Sequence, residues 1–251
     1  QPASVSCAFI ALSWRRRLPV HFGKRGGHGA ALPSAAYAAL FRSYQDRQAA
    51  GLTFYAFMSI STGRPFFYAE MLYFAPVLWL LMAAFVRSAS LRTVAASVLG
   101  LCLPYWLAAA IALYTGHLPM LADHLGQLAA IGPLCDFSLL SANQVATMAF
   151  VMAMAATGII HYRRQSINDK IRTRMFYSCF ITMDIASVAL AILQPQHYEL
   201  ALRMMIVNTS PLIAHFITLT NTKVTNVAFC AIVVATLALT AFNLWMPSTN
   251  F

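Results

Sequence analysis

Asp184 is the residue best placed to do chemistry, an acid in the otherwise apolar run Phe-Ile-Thr-Met-Asp-Ile-Ala-Ser-Val. An ionisable side chain at membrane depth costs at least ~2.5–3.5 kcal/mol on insertion scales, so it requires a partner or a cavity. His215 is the expected partner. Asp184 lies ten residues from Arg174, and His215 lies eight from Lys223. At ~1.5 Å per residue this places them roughly 15 and 12 Å from one face of the membrane. The short turn at 195–198 makes their two helices antiparallel neighbours. A histidine beside a carboxylate titrates near physiological pH and can relay protons. The same two residues could instead form an interhelical hydrogen bond, worth about 0.6 kcal/mol on average.

Asn208, Pro211, His215, Thr218 and Thr222 recur at three- and four-residue steps and form one polar stripe. Pro211 removes a backbone bond and leaves a carbonyl near position 207 free, where Asn208, Thr209 and Ser210 crowd together. Interrupted helices with polar residues at the break line substrate or ion paths. Small polar residues also serve as ordinary glue between membrane helices. The binding candidates are therefore Asp184, His215, Asn208 and Thr218, with no catalytic residue assigned.

The other polar groups point less sharply. Glu70 is expected at the outer end of its helix, and Glu199 with Arg203 forms an i,i+4 surface ion pair. His117, Asp123, His124, Asp136 and His197 could meet on the outer face, but no HxxxH or HExxH spacing supports a zinc site. The cysteines (Cys7, Cys102, Cys135, Cys179, Cys230) form no CxxC pair and read as small hydrophobes. No GxxxxGK[ST] or GxSxG occurs, and the 23–28 stretch is only a glycine-rich basic linker. Neither a metal nor a cofactor is expected, and ATP hydrolysis is excluded.

The elements that must hold these residues are membrane helices. The chain of 251 residues is 60% hydrophobic and 10% charged, against about 25% charged in soluble domains. Its net charge of +10 sits at the ends of apolar runs, without the aromatic-interleaved basic face that binds nucleic acid. A spanning helix needs ~20 mostly apolar residues. Runs at 66–86, 93–115, 144–161, 175–193 and 225–246 qualify. A sixth at 200–221 is studded with polar residues, and a seventh at 48–63 could continue from a helix at 34–47. The expectation is an all-α polytopic bundle of six or seven spans.

Orientation follows from Arg163, Arg164, Lys170, Arg172 and Arg174, because loops rich in Lys and Arg stay in the cytoplasm. With that loop inside, only Arg64 and Arg203 of the 17 cations fall outside. The segment 117–140, broken by Pro119, Gly132 and Pro133, reads as an external loop with an interfacial helix. Tyr105, Tyr162, Tyr198 and Trp245 lie near proposed helix ends as interfacial anchors, whereas Trp79 and Trp106 are expected to pack internally. Residues 4–14 are apolar and end in Arg15-Arg16-Arg17, the reverse of a signal peptide. That order suggests the end of a spanning helix in an N-terminally truncated fragment. The organisation expected is a truncated helix end and basic linker over 1–33, then one membrane domain over 34–251. That domain carries an external loop at 116–141 and a basic cytoplasmic loop at 162–174.

Ser90-Leu91-Arg92-Thr93, the 100–106 stretch Gly-Leu-Cys-Leu-Pro-Tyr-Trp, the 168–174 stretch Asn-Asp-Lys-Ile-Arg-Thr-Arg, Gln194-Pro195-Gln196-His197 and the 210–215 stretch Ser-Pro-Leu-Ile-Ala-His form a familiar combination. Together they resemble an uncharacterised family of multi-pass inner-membrane proteins from Bacteroidota, from about residue 40 onward. That resemblance implies a bacterial inner-membrane location and further N-terminal residues, and it supplies no catalytic residues. Three functions are compatible with these features. One is a transporter-like or lipid-handling protein using an Asp/His polar path. Another is a non-catalytic subunit bound to a membrane-protein partner, or a homo-oligomer. The third is a membrane glycosyltransferase acting on a lipid-linked sugar, for which Asp123 and Asp136 are the available acids.

Overall fold

The computed structural model describes residues 31–61, 69–116, 119, 126, 135–165, 169–219 and 223–245. These residues form helices and turns without a strand. We number the helices α1 (Ala31–Arg42), α2 (Ala50–Ser61), α3 (Ala75–Ala84, entered through a 3-10 turn at Ala69–Phe74) and α4 (Leu91–Thr115). They continue with α5 (Ala142–Gln165), α6 (Ile171–Leu193), α7 (Tyr198–Leu219) and α8 (Lys223–Trp245). Four stretches, Leu91–Thr115, Ala142–Gln165, Ile171–Leu193 and Pro195–Thr218, are long and apolar enough to cross a membrane. The protein is therefore an all-helical membrane protein.

The longest helix shows how local sequence sets its ends. Ser90 and Thr93 form a reciprocal cap: the Ser90 hydroxyl accepts from the Thr93 N–H at 3.2 Å, and the Thr93 hydroxyl accepts from the Ser90 N–H at 2.8 Å. This satisfies two of the amides that a helix start leaves free. At the far end Gly116 adopts φ 74°, the left-handed conformation that closes helices cheaply only at glycine. Between the caps, 25 residues span about 37 Å, ample for a ~30 Å hydrocarbon core.

The first half differs from the sequence expectation. The helix proposed to run from 34–47 into 48–63 is instead two antiparallel helices, because the chain turns between Ser43 and Ala49. The Ser43 hydroxyl closes α1 by donating to the Leu40 carbonyl at 2.7 Å. Asp46 then accepts from the Gln48 N–H at 2.8 Å, the local bond by which Asp favours turns over helix. Twelve residues of α2 reach about 18 Å, too short to cross alone.

Helices α2 and α4 run parallel at close range. The Thr53 hydroxyl donates to the Thr93 carbonyl, and the Ser61 hydroxyl donates to the Leu101 carbonyl at 2.7 Å, both pairs forty residues apart. Gly100 makes this approach possible, since a Cβ there would collide with the Phe54 carbonyl oxygen. Trp79 packs internally as expected, stacked on Phe57 and donating to the Ser97 hydroxyl at 2.9 Å. Trp106 does not: it is 78% exposed. It shares this outward surface with Leu99, Leu107 and Ile111 of α4, which lipid would cover.

Helix α7 is the centre of the bundle. Of its apolar window 61% is buried, against 28–33% for the other three spanning candidates. It packs antiparallel to α6 across the tight turn at Pro195–His197, and against α5, where Gly158 meets Leu212. Helix α8 sits at the periphery, with Val227, Val234 and Leu237 outward.

Contacts gather the basic segments at one end. The Gln45 N–H donates to the Val86 carbonyl at 2.9 Å, and the Ser90 hydroxyl donates to the Arg47 carbonyl at 2.9 Å. Tyr44 contacts Met175, and the Arg172 guanidinium lies 5.7 Å from the Tyr44 ring and 5.4 Å from the Phe176 ring. Arg42, Arg47, Arg87, Arg92, Arg163, Arg164, Lys170, Arg172, Arg174 and Lys223 thus share that end, and among the described residues only Arg203 lies at the other. The helices also extend into the 162–174 segment, with Arg163 and Arg164 in the last turn of α5 and Lys170 capping α6. Cations suit a helix C-terminus but not an N-terminus. The macrodipole therefore accounts for Arg163 and Arg164, while Arg172 gains instead from its aromatic contacts.

Candidate functional site

The interface of α6 and α7 is built in three layers that step down the two helices in opposite directions: Asp184 with Thr209, Ile181 with Leu212, and Tyr177 with His215. Asp184 and His215 are consequently not partners. They lie in different layers, about six residues or ~9 Å apart along α7. The expected depths were counted from Arg174 and Lys223, but the tight turn at Pro195–His197 sets the register. Counting outward from that turn reaches Asp184 and Thr209 together, and this is the signal by which the sequence could have identified Thr209.

In the first layer Asp184 is 1% exposed, and the Thr209 hydroxyl lies 3.4 Å from both carboxylate oxygens. That distance is at the limit of a hydrogen bond. Next along α7, Asn208 is fully buried, and its Oδ1 accepts from the Tyr37 hydroxyl at 2.6 Å. Its Nδ2 has no hydrogen-bond partner among the described residues. Tyr37 reaches in from α1 to make the bond to Oδ1. Among the described residues the layer thus holds one acid, one amide, two hydroxyls and no cation. A cavity of about 10 Å³ lies beside it, lined by Tyr37, Met71, Phe74, Met183 and Met204 among others. This is the size of about one water molecule, though its apolar lining offers a water no anchors.

In the third layer His215 Nε2 lies 3.3 Å from Asp169 Oδ2, with the histidine side chain 5% and the acid 23% exposed. The His215 ring also touches Tyr177 at 4.8 Å, Tyr162 at 5.4 Å and His161 at 6.0 Å. Asp169 and His161 drew no attention in the sequence, because one sits in the basic loop and the other in a helix terminus.

Of the four candidates, Asp184 and Asn208 share a layer, and His215 belongs to another. Thr218 belongs to neither: it is exposed, and its hydroxyl returns to the Ala214 carbonyl of its own helix at 2.7 Å. Pro211 does not interrupt α7, which runs helical from Tyr198 to Leu219.

At the opposite end Arg203 and Glu199 form the expected ion pair at 3.0 Å. Asp136 caps a 3-10 turn, accepting from the Ser138 hydroxyl at 2.5 Å and its N–H at 3.1 Å. The side-chain bond first, and the backbone bond second, hold its carboxyl below the ordinary carboxylate range. His197 packs against the Tyr73 ring at 5.5 Å. Among the described residues no group of three or more His, Cys, Asp or Glu could hold a metal. His117, Asp123 and His124 lie outside the described residues, as do residues 1–30 and Thr222; nothing is described of the Glu70 side chain. No family model, curated protein or solved structure matches this chain.

Proposed function

We propose that this chain is a transporter-like protein in which Asp184 exchanges a proton or small cation during passage across a bacterial inner membrane. The observation that carries this reading is the isolation of the acid. An acid 1% exposed, with a single hydroxyl at 3.4 Å and no cation in its layer among the described residues, costs several kcal/mol to hold whenever it is ionised. Intramembrane acids of that kind mark ion paths and proton relays. The neighbouring cavity of about 10 Å³ is too small for a lipid or sugar, and its apolar lining holds no ion in the packed state. The alternating direction of successive helices supports six or seven crossings. Their shared basic end supports placing that end in the cytoplasm and the C-terminus outside.

A second reading, a subunit of a larger membrane assembly, is favoured by the peripheral position and apolar outer face of α8. The experiment that separates the two uses purified protein in liposomes carrying an internal pH dye, with a potassium–valinomycin clamp driving proton entry. Transport predicts a flux that Asp184→Asn removes without lowering the yield of monodisperse protein. Absent flux in the wild type, or equal flux in the variant, would defeat the transport reading.

A further inference from the structure

We propose that Asp169, His215 and His161 form a proton-loading site at the basic end of the bundle, shut off from Asp184 by the Tyr162–Ile181–Leu212 layer. The destination of the proton rests on the reading of Asp184 given above; the loading site itself does not.

The geometry is that of a carboxylate holding one nitrogen of a buried imidazole and leaving the other bare. His215 Nε2 faces Asp169 Oδ2 at 3.3 Å, while its Nδ1 is buried without a partner among the described residues. His161 Nε2, in the ring 6.0 Å away, is likewise buried and unpartnered. Among the described residues nothing repays the desolvation of these two nitrogens, and a small occupant would. A proton fits. With Nε2–H directed at the carboxylate, Nδ1 is the free acceptor, and the imidazolium formed there is stabilised by Asp169.

The surroundings limit the load to one proton. The groups facing His215 are His161 and Tyr162 from α5, Asp169 from the loop and Tyr177 from α6. The Tyr162 hydroxyl donates to the Arg174 carbonyl at 3.3 Å, which brings the α6 backbone of that cation beside the cluster. A second cation on His161 would be repelled by the first across 6.0 Å. Asp169, 23% exposed against 5% for His215, is the entry point from the cytoplasmic side.

Transfer onward needs the middle layer to open. Tyr162, Ile181 and Leu212 are 4%, 5% and 0% exposed, so no water column passes them in the packed state. Two features let α7 yield there. Pro211 lacks the N–H that would tie its turn to the preceding one. Gly158 gives Leu212 a smooth seat, its absent Cβ lying only 3.0 Å from that of Leu212. When water enters, the imidazolium gives up its proton and the Asp184 carboxylate becomes a carboxylic acid, so charge and protons balance.

The test uses the full chain in nanodiscs with nitrogen-15-labelled histidine, followed by NMR between pH 5 and 8. A single proton should load onto the His161–His215 pair. Asp169→Asn should change which His215 nitrogen carries the proton, read from its nitrogen-15 shifts, since it replaces the carboxylate facing Nε2 with an amide. Asp184→Asn should leave that titration unchanged. In liposomes Leu212→Ala, or Leu212→Val if the alanine variant folds poorly, should raise proton flux several-fold over wild type. The proposal is overturned if the His161–His215 pair takes up no proton in the experiment, if Asp169→Asn leaves the His215 nitrogen-15 shifts unaltered, or if neither Leu212 variant changes flux. Flux insensitive to Asp184→Asn alongside a titrating His215 would sink the Asp184 reading and leave the loading site standing.

Discussion

Asp184→Ala is expected to make the bundle more stable. The carboxyl is 1% exposed and has one hydroxyl, from Thr209, at 3.4 Å. A buried polar group without adequate partners costs about 1–3 kcal/mol, so its removal returns about 2 kcal/mol. Against that stands the Thr209 bond, worth about 0.6 kcal/mol between membrane helices. The void left by three heavy atoms costs on the order of 0.7 kcal/mol at about 24 cal/mol per Å³. The net gain is about 0.7 kcal/mol, roughly threefold in the folded-to-unfolded ratio, and more if the wild-type group is ionised. Reversible unfolding of the reconstituted protein in mixed detergent and lipid, read by tryptophan fluorescence, measures it directly. A loss of more than about 1 kcal/mol would refute the reasoning. It would mean that Asp184 is structural glue satisfied by contacts stronger than the Thr209 bond, and the case for ion exchange at this site would go with it.

Two further expectations probe the frame around the site. Gly100→Ala should cost about 1–3 kcal/mol, because the new Cβ meets the Phe54 carbonyl, a backbone atom that cannot step aside. Gly51→Ala, with nothing within 4 Å of its Cβ, should gain about 0.4–1 kcal/mol. The same unfolding assay compares them, and equal stability of the two variants would contradict the close α2–α4 crossing. For orientation, a fluorescent-protein fusion after Gln165 should fluoresce and an alkaline phosphatase fusion after Gly116 should be active. The reverse outcome would place the basic end outside the cytoplasm.

Particular residues show how far the sequence could be read. The apolar runs at 93–115, 144–161 and 175–193 became α4, α5 and α6 with ends shifted by a few residues. Apolar length and cap residues such as Ser90 and Gly116 are local properties. The grouping of Arg42, Arg87, Arg163 and Lys223 at one end was legible for a related reason: alternating spans carry each charged terminus to a fixed side. The run at 66–86 was harder, since its entry is a 3-10 turn and its regular helix covers only Ala75–Ala84. The break between α1 and α2 at Asp46 depended on a turn bond that hydropathy does not register.

The sequence by itself determined that this chain is a helical membrane protein, that its described cations other than Arg203 gather at one end, and that Asp184 and Asn208 lie within apolar helices. Helical rise and hydrophobicity suffice for that, because both are counted along a single segment. Only the tertiary structure decided who meets whom: Asp184 with Thr209, Asn208 with Tyr37, and His215 with Asp169 and His161. Those meetings depend on the azimuth of each helix and on the register fixed by the turn at Pro195–His197. Both arise from packing between segments, and residue counting along one helix carries no information about the rotation of its neighbour.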